Sequence, residues 1–314
     1  ECYGGKNGKK IKPVLLAMAV ALVFTGCTNI ATPEELIEPP ELNLEKQSMK
    51  EALEKFLPED STITALPNLD GVDKEMAFSP IDLNDDGQLE MIAFYKDKNT
   101  KLMGMLILSN KRDKWEKISD IKLNSFDILQ FKVLDLDNDK NKEIVLGTYS
   151  DESISYGKKL TILSFKDNKV TSILEMPYAG MALGALDKDD SYEIAILYQN
   201  EEMIETRLSI MRVAKNKVSR IDEKIFPQGV DPYSVAIGNI YDDEEVIFVD
   251  SFSGIYEGRT DIFFFKDKKI KDIEDYKGFK LSDKSFPVQT KDVDSDGIME
   301  VGIPFSPPDN HQLY

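Results

Sequence analysis

The chain has 314 residues, with 57 Asp and Glu against 39 Lys and Arg, one His, two Cys and a formal net charge of −18. At 41% hydrophobic and 31% charged the composition is that of a folding, soluble chain, neither disordered nor membrane-spanning. Its acidity argues against nucleic acid as a partner, since sequence-independent binding needs Lys and Arg on phosphates. One His and two Cys make no His/Cys zinc site, and a Ser-His-Asp or Cys-His mechanism would rest on His311, close to the end of the sequence.

Residues 6–12 (KNGKKIK) are basic, and Val14 to Phe24 is an unbroken apolar run of 11 residues ending at Thr25, Gly26 and Cys27. A membrane-spanning helix needs about 20 such residues, so the pattern reads as a secretory signal peptide. The ending Phe24-Thr25-Gly26-Cys27 resembles the lipobox of bacterial lipoproteins. That resemblance implies diacylation of Cys27, attachment to the membrane through its lipid and an extracytoplasmic location. An ordinary signal peptide with an incidental Cys is the alternative. Richness in Lys, Ile and Asn suits a Gram-positive cell. Residue 1 is Glu, so ECYGG is left out of the fold reasoning, and Cys2 with it. Residues 1–26 hold four Lys and one Glu, so the chain from Cys27 onward has net charge −21 and no second Cys for an intrachain disulfide. Stability is then expected from a core, from metal, or from both.

Residues 27–43, rich in Pro and Glu, read as a tether reaching on the order of 20 Å if flexible. Over 44–58, Met49, Ala52, Leu53, Phe56 and Leu57 follow the spacing of one helical face before Pro58 stops it. This predicts a short amphipathic helix packed by its apolar side.

Residues 59–314 are repetitive. Five segments, 78–95, 131–149, 181–198, 234–250 and 288–305, each run from a short apolar strand through an acidic turn to a Glu and a second apolar strand. The markers Glu90, Glu143, Glu193, Glu245 and Glu300 are 53, 50, 52 and 55 residues apart. Between them, hairpins are predicted around Asn110 to Asp113, Asp167-Asn168, Asn216 and Asp267. Four strands per 50 to 55 residues is the length of one β-propeller blade.

The first turn presents Asp82, Asn84, Asp86, Gln88 and Glu90, and the fifth Asp292, Asp294, Asp296, Ile298 and Glu300. Oxygen side chains at positions 1, 3 and 5, a backbone carbonyl at 7 and a carboxylate at 9 suit Ca²⁺, a hard cation taking six to eight oxygens. Gly at position 6 permits positive φ. The second turn offers Asp135, Asp137, Asp139, Asn141 and Glu143 but has Lys140 in place of that Gly. The third has Ala185 at position 1 while keeping Asp187, Asp189 and Glu193, and the fourth, from Asn239, is two residues short. Structural Ca²⁺ is therefore expected at two to three turns, the first, the fifth and the second. A solvated acidic turn that merely joins two strands is the alternative. The strand flanks exclude an EF-hand, whose loop lies between helices.

Strand, DxDxDGxxE and strand at a blade-length period resembles the FG-GAP/VCBS repeats of integrin-α-like propellers and of many bacterial envelope proteins, over roughly residues 75–314. The resemblance implies an all-β fold, a β-propeller of four-stranded blades with DxDxDG-type calcium loops. It implies a non-enzymatic binding module whose ligand is an envelope protein, peptide or glycan. The alternative function is a carbohydrate-active or other envelope enzyme with an acidic site in the propeller channel, which needs two carboxylates about 5 to 9.5 Å apart. Trp115, Tyr233, Phe252 and Tyr256 are aromatics that stack on sugars in that case and pack within blades otherwise. Few residues follow Glu300, so the fifth repeat is expected either to be truncated or to be completed by residues 60–75.

Overall fold

The hairpin signals set the strands. In the computed structural model, the chain is described for residues 44–64, 78–112, 114–149, 157–187, 189, 191–199, 205–241, 244–253, 257–272, 279–282, 288–291, 293 and 300–302. Cys27, the apolar run before it, the tether and Tyr256 lie outside these residues. Two compact units are resolved, Glu1–Lys50 and Glu51–Tyr314. The described part of the first is the opening half of helix α1 (Leu44–Phe56), where Met49 is buried. The rest of α1 buries Ala52 and Leu53 and leaves Phe56 half-buried, as is Leu57 just beyond the helix. It ends two residues before Pro58, whose ring disfavours helical backbone in the residue preceding it. Among the described residues no helix is long and apolar enough to cross a membrane.

Every strand pairing among the described residues is antiparallel. The first sheet comprises β1 (Ser61–Thr64), β2 (Phe78–Ile81), β3 (Glu90–Asp97), β4 (Met103–Lys111) and β5 (Lys114–Lys122). Both β1 and β2 pair with β3, the former along residues 94–97 and the latter along 90–93, so two segments share one strand position. Residues 61–64 thus complete the first repeat rather than the fifth. The second sheet is β6 (Asp127–Leu134), β7 (Glu143–Tyr149), β8 (Lys158–Lys166) and β9 (Lys169–Pro177). The third is β10 (Gly180–Gly184), β11 (Glu193–Gln199), β12 (Thr206–Ala214) and β13 (Lys217–Ile225). The fourth is β14 (Val230–Tyr241), β15 (Glu244–Ser253), β16 (Glu257–Lys266) and β17 (Lys269–Asp272), with β18 (Phe279–Ser282) also on β16. Last come β19 (Gln289–Lys291) and β20 (Glu300–Gly302), a two-stranded sheet.

The predicted hairpins follow from local chemistry. Asp167 and Asn168, Lys215 and Asn216, and Asp267 and Lys268 all have positive φ. Each pair forms a two-residue loop between strands, the mirror-image turn that matches strand twist.

Alternate side chains of one sheet enter different cores. Ile144, Leu146, Leu163 and Phe165 of the second sheet pack with Ile92, Phe94, Met105 and Ile107 of the first. Their neighbours Val145, Leu160 and Ile162 pack with Ile194 and Ile196 of the third. Ala195, Leu197, Leu208 and Ile210 of the third meet Ile247, Val249, Phe263 and Phe265 of the fourth. Middle strands such as β7 and β11 are therefore near-continuous apolar runs, as burial on both faces demands. The last strands β5, β9 and β13 expose alternate polar residues and many charges, which protects an outer edge from further pairing. The sheets thus stack face to face in chain order.

Candidate metal centres

In the first, second, third and fifth repeats the acidic turn is anchored by its second and ninth residues. Leu83, Leu136 and Leu186, at position 2, are buried in successive inter-sheet cores, each contributing about 1.5–3 kcal/mol. Their backbone N–H groups donate to Oε2 of Glu90 (3.0 Å), Glu143 (3.1 Å) and Glu193 (2.9 Å). In the fifth turn the Val293 N–H donates to Glu300 Oε2 at 2.6 Å. Asp292, Asp294, Asp296 and Ile298 lie outside the described residues. The marker glutamates of the first three turns are almost wholly buried, and burial raises all three carboxyls above the ordinary range. The turns are also chained to one another. The Lys142 N–H donates to the Leu83 carbonyl (2.8 Å) and the Tyr192 N–H to the Leu136 carbonyl (3.1 Å).

In the first turn, Asp82 accepts N–H groups from Asn84 (3.3 Å), Asp86 (3.2 Å) and Gly87 (2.8 Å). Burial pushes its carboxyl up, but these backbone donors outweigh burial and hold it below the usual range. The Asn84 side-chain amide donates to Asp86 Oδ2 at 3.0 Å, and the Gln88 N–H to Asp86 Oδ1 at 2.8 Å. Gly87 has φ +82°. The Ser109 hydroxyl on β4 donates to Glu90 Oε1 at 3.0 Å.

The second turn repeats this curl. Asp135 accepts from Asp139 (3.1 Å) and Lys140 (2.7 Å), and Asp139 accepts the Asn141 N–H (2.8 Å). Lys140 holds φ +74° without being Gly, a strain of about 1 kcal/mol. Here Asp135, Asp137 and Glu143 bring one carboxylate oxygen each to within 4.8 Å of the others. Oxygens around a cation at 2.3–2.6 Å are at most about 5 Å apart, so the donor set fits a hard divalent ion. Asp137 Oδ2 accepts the Lys215 N–H from the β12–β13 hairpin at 2.8 Å, while its Oδ1 is buried with no hydrogen-bond partner. Burial pushes Glu143 up to about 7, reinforced by Asp137 and Asp139 and opposed by the Leu136 N–H and Ser164.

The third turn gathers Asp187, Asp189 and Glu193 within the same span, but Arg212 of β12 lies among them. Its Nε donates to Glu193 Oε1 at 2.8 Å and its Nη1 to Asp189 Oδ2 at 2.9 Å, while Nη2 bonds both Asp187 and Glu193. The three carboxylates do not fit a metal ion with this guanidinium in place.

In the fourth repeat β14 runs on to Tyr241 and β15 begins at Glu244, so a tight hairpin replaces the nine-residue curl. Glu245 instead accepts the Ala185 N–H at the head of the third turn, and its Oε2 is buried without a partner.

Motif reading missed Arg212 because its signal is cross-strand. Opposite the marker Glu stand Ser109, Ser164 and Arg212 in the first three sheets. The odd residue out is visible only once β-pairing is known. Of the aromatics, Trp115 is buried, and Tyr233 stacks on the exposed Phe252 with ring centroids 4.5 Å apart. A cavity of about 260 Å³ lies among the first strands β6, β10, β14 and β19, lined on its polar side by Gln130, Lys132, Thr290 and Lys291.

No family model and no curated protein matches the chain, so the FG-GAP/VCBS resemblance stands on the turn motifs alone. Solved structures that match include an exotype rhamnogalacturonan lyase, YesX, at 16% identity over 71% of this chain and 44% of its own, with TM-score 0.37. Rhamnogalacturonan lyase YesW matches at 13% identity over 72% of this chain and 57% of its own, TM-score 0.39. A Bacillus licheniformis rhamnogalacturonan lyase matches at 17% identity over 71% of this chain and 46% of its own, TM-score 0.38. The chain thus spans about half the length of these proteins.

Proposed function

We propose that the chain is a calcium-stabilised β-propeller, held outside the cell by lipid on Cys27, that serves as a binding module for an envelope protein, peptide or glycan. The observation that carries the metal part is the second turn, where Asp135, Asp137 and Glu143 each bring a carboxylate oxygen within 4.8 Å of the others and Asp137 Oδ1 is buried without a hydrogen-bond partner. Face-to-face stacking of four-stranded sheets supports the propeller. Asp135, Asp137, Asp139 and Glu143 would hold the ion, with the Asn141 carbonyl. The first and fifth turns are proposed as sites on their motifs. The ion's contribution is charge neutralisation and closure of the turn between two strands.

The test is a thermal melt in Ca²⁺ and in EDTA, beside Asp137→Ala. A hundredfold excess over Kd stabilises by about 2.7 kcal/mol per site, and Asp137→Ala is expected to remove one site's share. An unchanged melting temperature in both conditions overturns the metal reading.

A second reading, a carbohydrate-active protein, is favoured by the cavity among the first strands. Lys132, Lys291 and Gln130 offer N–H donors suited to the carboxylate and hydroxyls of an acidic sugar. Incubation with uronic-acid oligosaccharides separates the readings, since shortened products mean an enzyme and retention without cleavage means a binding module.

A further inference from the structure

Arg212 stands at the register position that Ser109 and Ser164 hold in the preceding two sheets. Those serines hydrogen-bond the marker Glu and bring no charge to the turn. Arg212 bonds the carboxylates at positions 3, 5 and 9 at once. Its side chain is only 16% exposed and that of Glu193 is fully buried, so water does not supply the compensation. The same turn has Ala185 where the others have Asp82 and Asp135. Three carboxylates with one guanidinium carry a net −2, as do the four of the second turn with one divalent ion.

We propose that Arg212 is a built-in substitute for a divalent cation, which makes the third turn independent of metal and masks a latent metal site formed by Asp187, Asp189 and Glu193. Its planar fork matches several carboxylates at once, and its charge does not depend on the free concentration of any ion, whereas a bound ion stabilises only above its Kd. The consequence extends to the second turn. Three residues beyond Arg212, the Lys215 N–H holds Asp137 (2.8 Å), and Asn216 Oδ1 lies 3.0 Å from the Ser164 hydroxyl. The second turn's central ligand is thus braced by the β12–β13 hairpin, whose strand β12 also carries the Arg212 that neutralises the third turn. This inference rests on the proposed metal reading of the second turn only for that last step.

The test is Arg212→Ser, which installs the residue of the first two sheets. Metal binding is counted by calcium titration and terbium luminescence on the full chain, with melts in EDTA and in Ca²⁺. The variant is expected to melt on the order of 10 °C lower in EDTA, to bind one more ion than the parent and to regain most of the loss in Ca²⁺. Adding Asp187→Asn should abolish the extra ion. If Arg212→Ser gains no ion and its deficit ignores Ca²⁺, the inference is overturned whatever the parent binds. If the variant gains an ion and the parent binds none, the inference stands and the calcium reading of the second turn fails. Should Arg212→Ser not fold, Asp189→Asn in the parent decides. It must leave the Ca²⁺-induced shift unchanged, and a loss matching that of Asp137→Asn would show metal in the third turn beside Arg212 and overturn the inference.

Discussion

The second and third turns are built on one plan and neutralised by two means. Both bury a Leu at position 2, both clamp its N–H with a Glu at position 9, and both gather three carboxylates within 4.8 Å. In the third, one strand-borne guanidinium answers the charge. In the second, Asp137 Oδ1 is unpartnered and Glu143 is pushed up to about 7 by burial and its acidic neighbours. The contrast teaches that the clamp, rather than the ligand set, is the conserved mechanical element among these repeats. How the central charge is met varies independently of it.

The largest expected effect breaks the third turn. Arg212→Ala leaves Glu193 buried and unanswered, a loss of roughly 3–5 kcal/mol, read as a shift of the urea midpoint at unchanged slope. The corresponding change in the second sheet, Ser164→Ala, removes a shared hydroxyl and should cost only about 1 kcal/mol. Comparable losses would erase the distinction between the turns.

Next comes pH. Glu143 in the folded chain titrates near 7 against an ordinary 4.5. The folded state therefore holds a proton the unfolded state has released, and stability from this group falls as pH rises between those values. For metal-free protein the fall is on the order of 3 kcal/mol at most, seen as a lower urea midpoint at pH 8 than at pH 5. Saturating Ca²⁺ should flatten that slope, and a slope equally steep in Ca²⁺ would place the titrating group elsewhere. The smallest effect concerns backbone strain. Lys140→Gly relieves φ +74° and should stabilise by about 0.5–1 kcal/mol, with no counterpart at Gly87, already relaxed at that position.

Much of the fold was legible because hairpin chemistry is local. Asp167-Asn168 and the residues around Asn216 and Asp267 announce their turns by tolerating positive φ. The apolar runs between them announce burial on both faces. The pairing of β1 with the far half of β3 was hidden, because a four-residue strand carries no period of its own. So was Arg212, which in the sequence is one polar residue in LSIMRVA and becomes a counter-ion only through its register with Glu193. The convergence of Asp135, Asp137 and Glu143 was readable from spacing alone. That Asp137 is braced from the following sheet was not, since Lys215 lies 78 residues away.

The hydrogen bonds from Lys142 to the Leu83 carbonyl and from Tyr192 to the Leu136 carbonyl give the row of turns the character of a zip. Each turn lends its carbonyl to the next, so a turn that opens strips protection from an amide one repeat downstream. Nearest-neighbour coupling of this kind makes repeat arrays fail by propagation from a weak unit. Amide exchange at Lys142 and Tyr192 would accordingly act as a remote gauge, the first reporting the integrity of the first turn and the second that of the second.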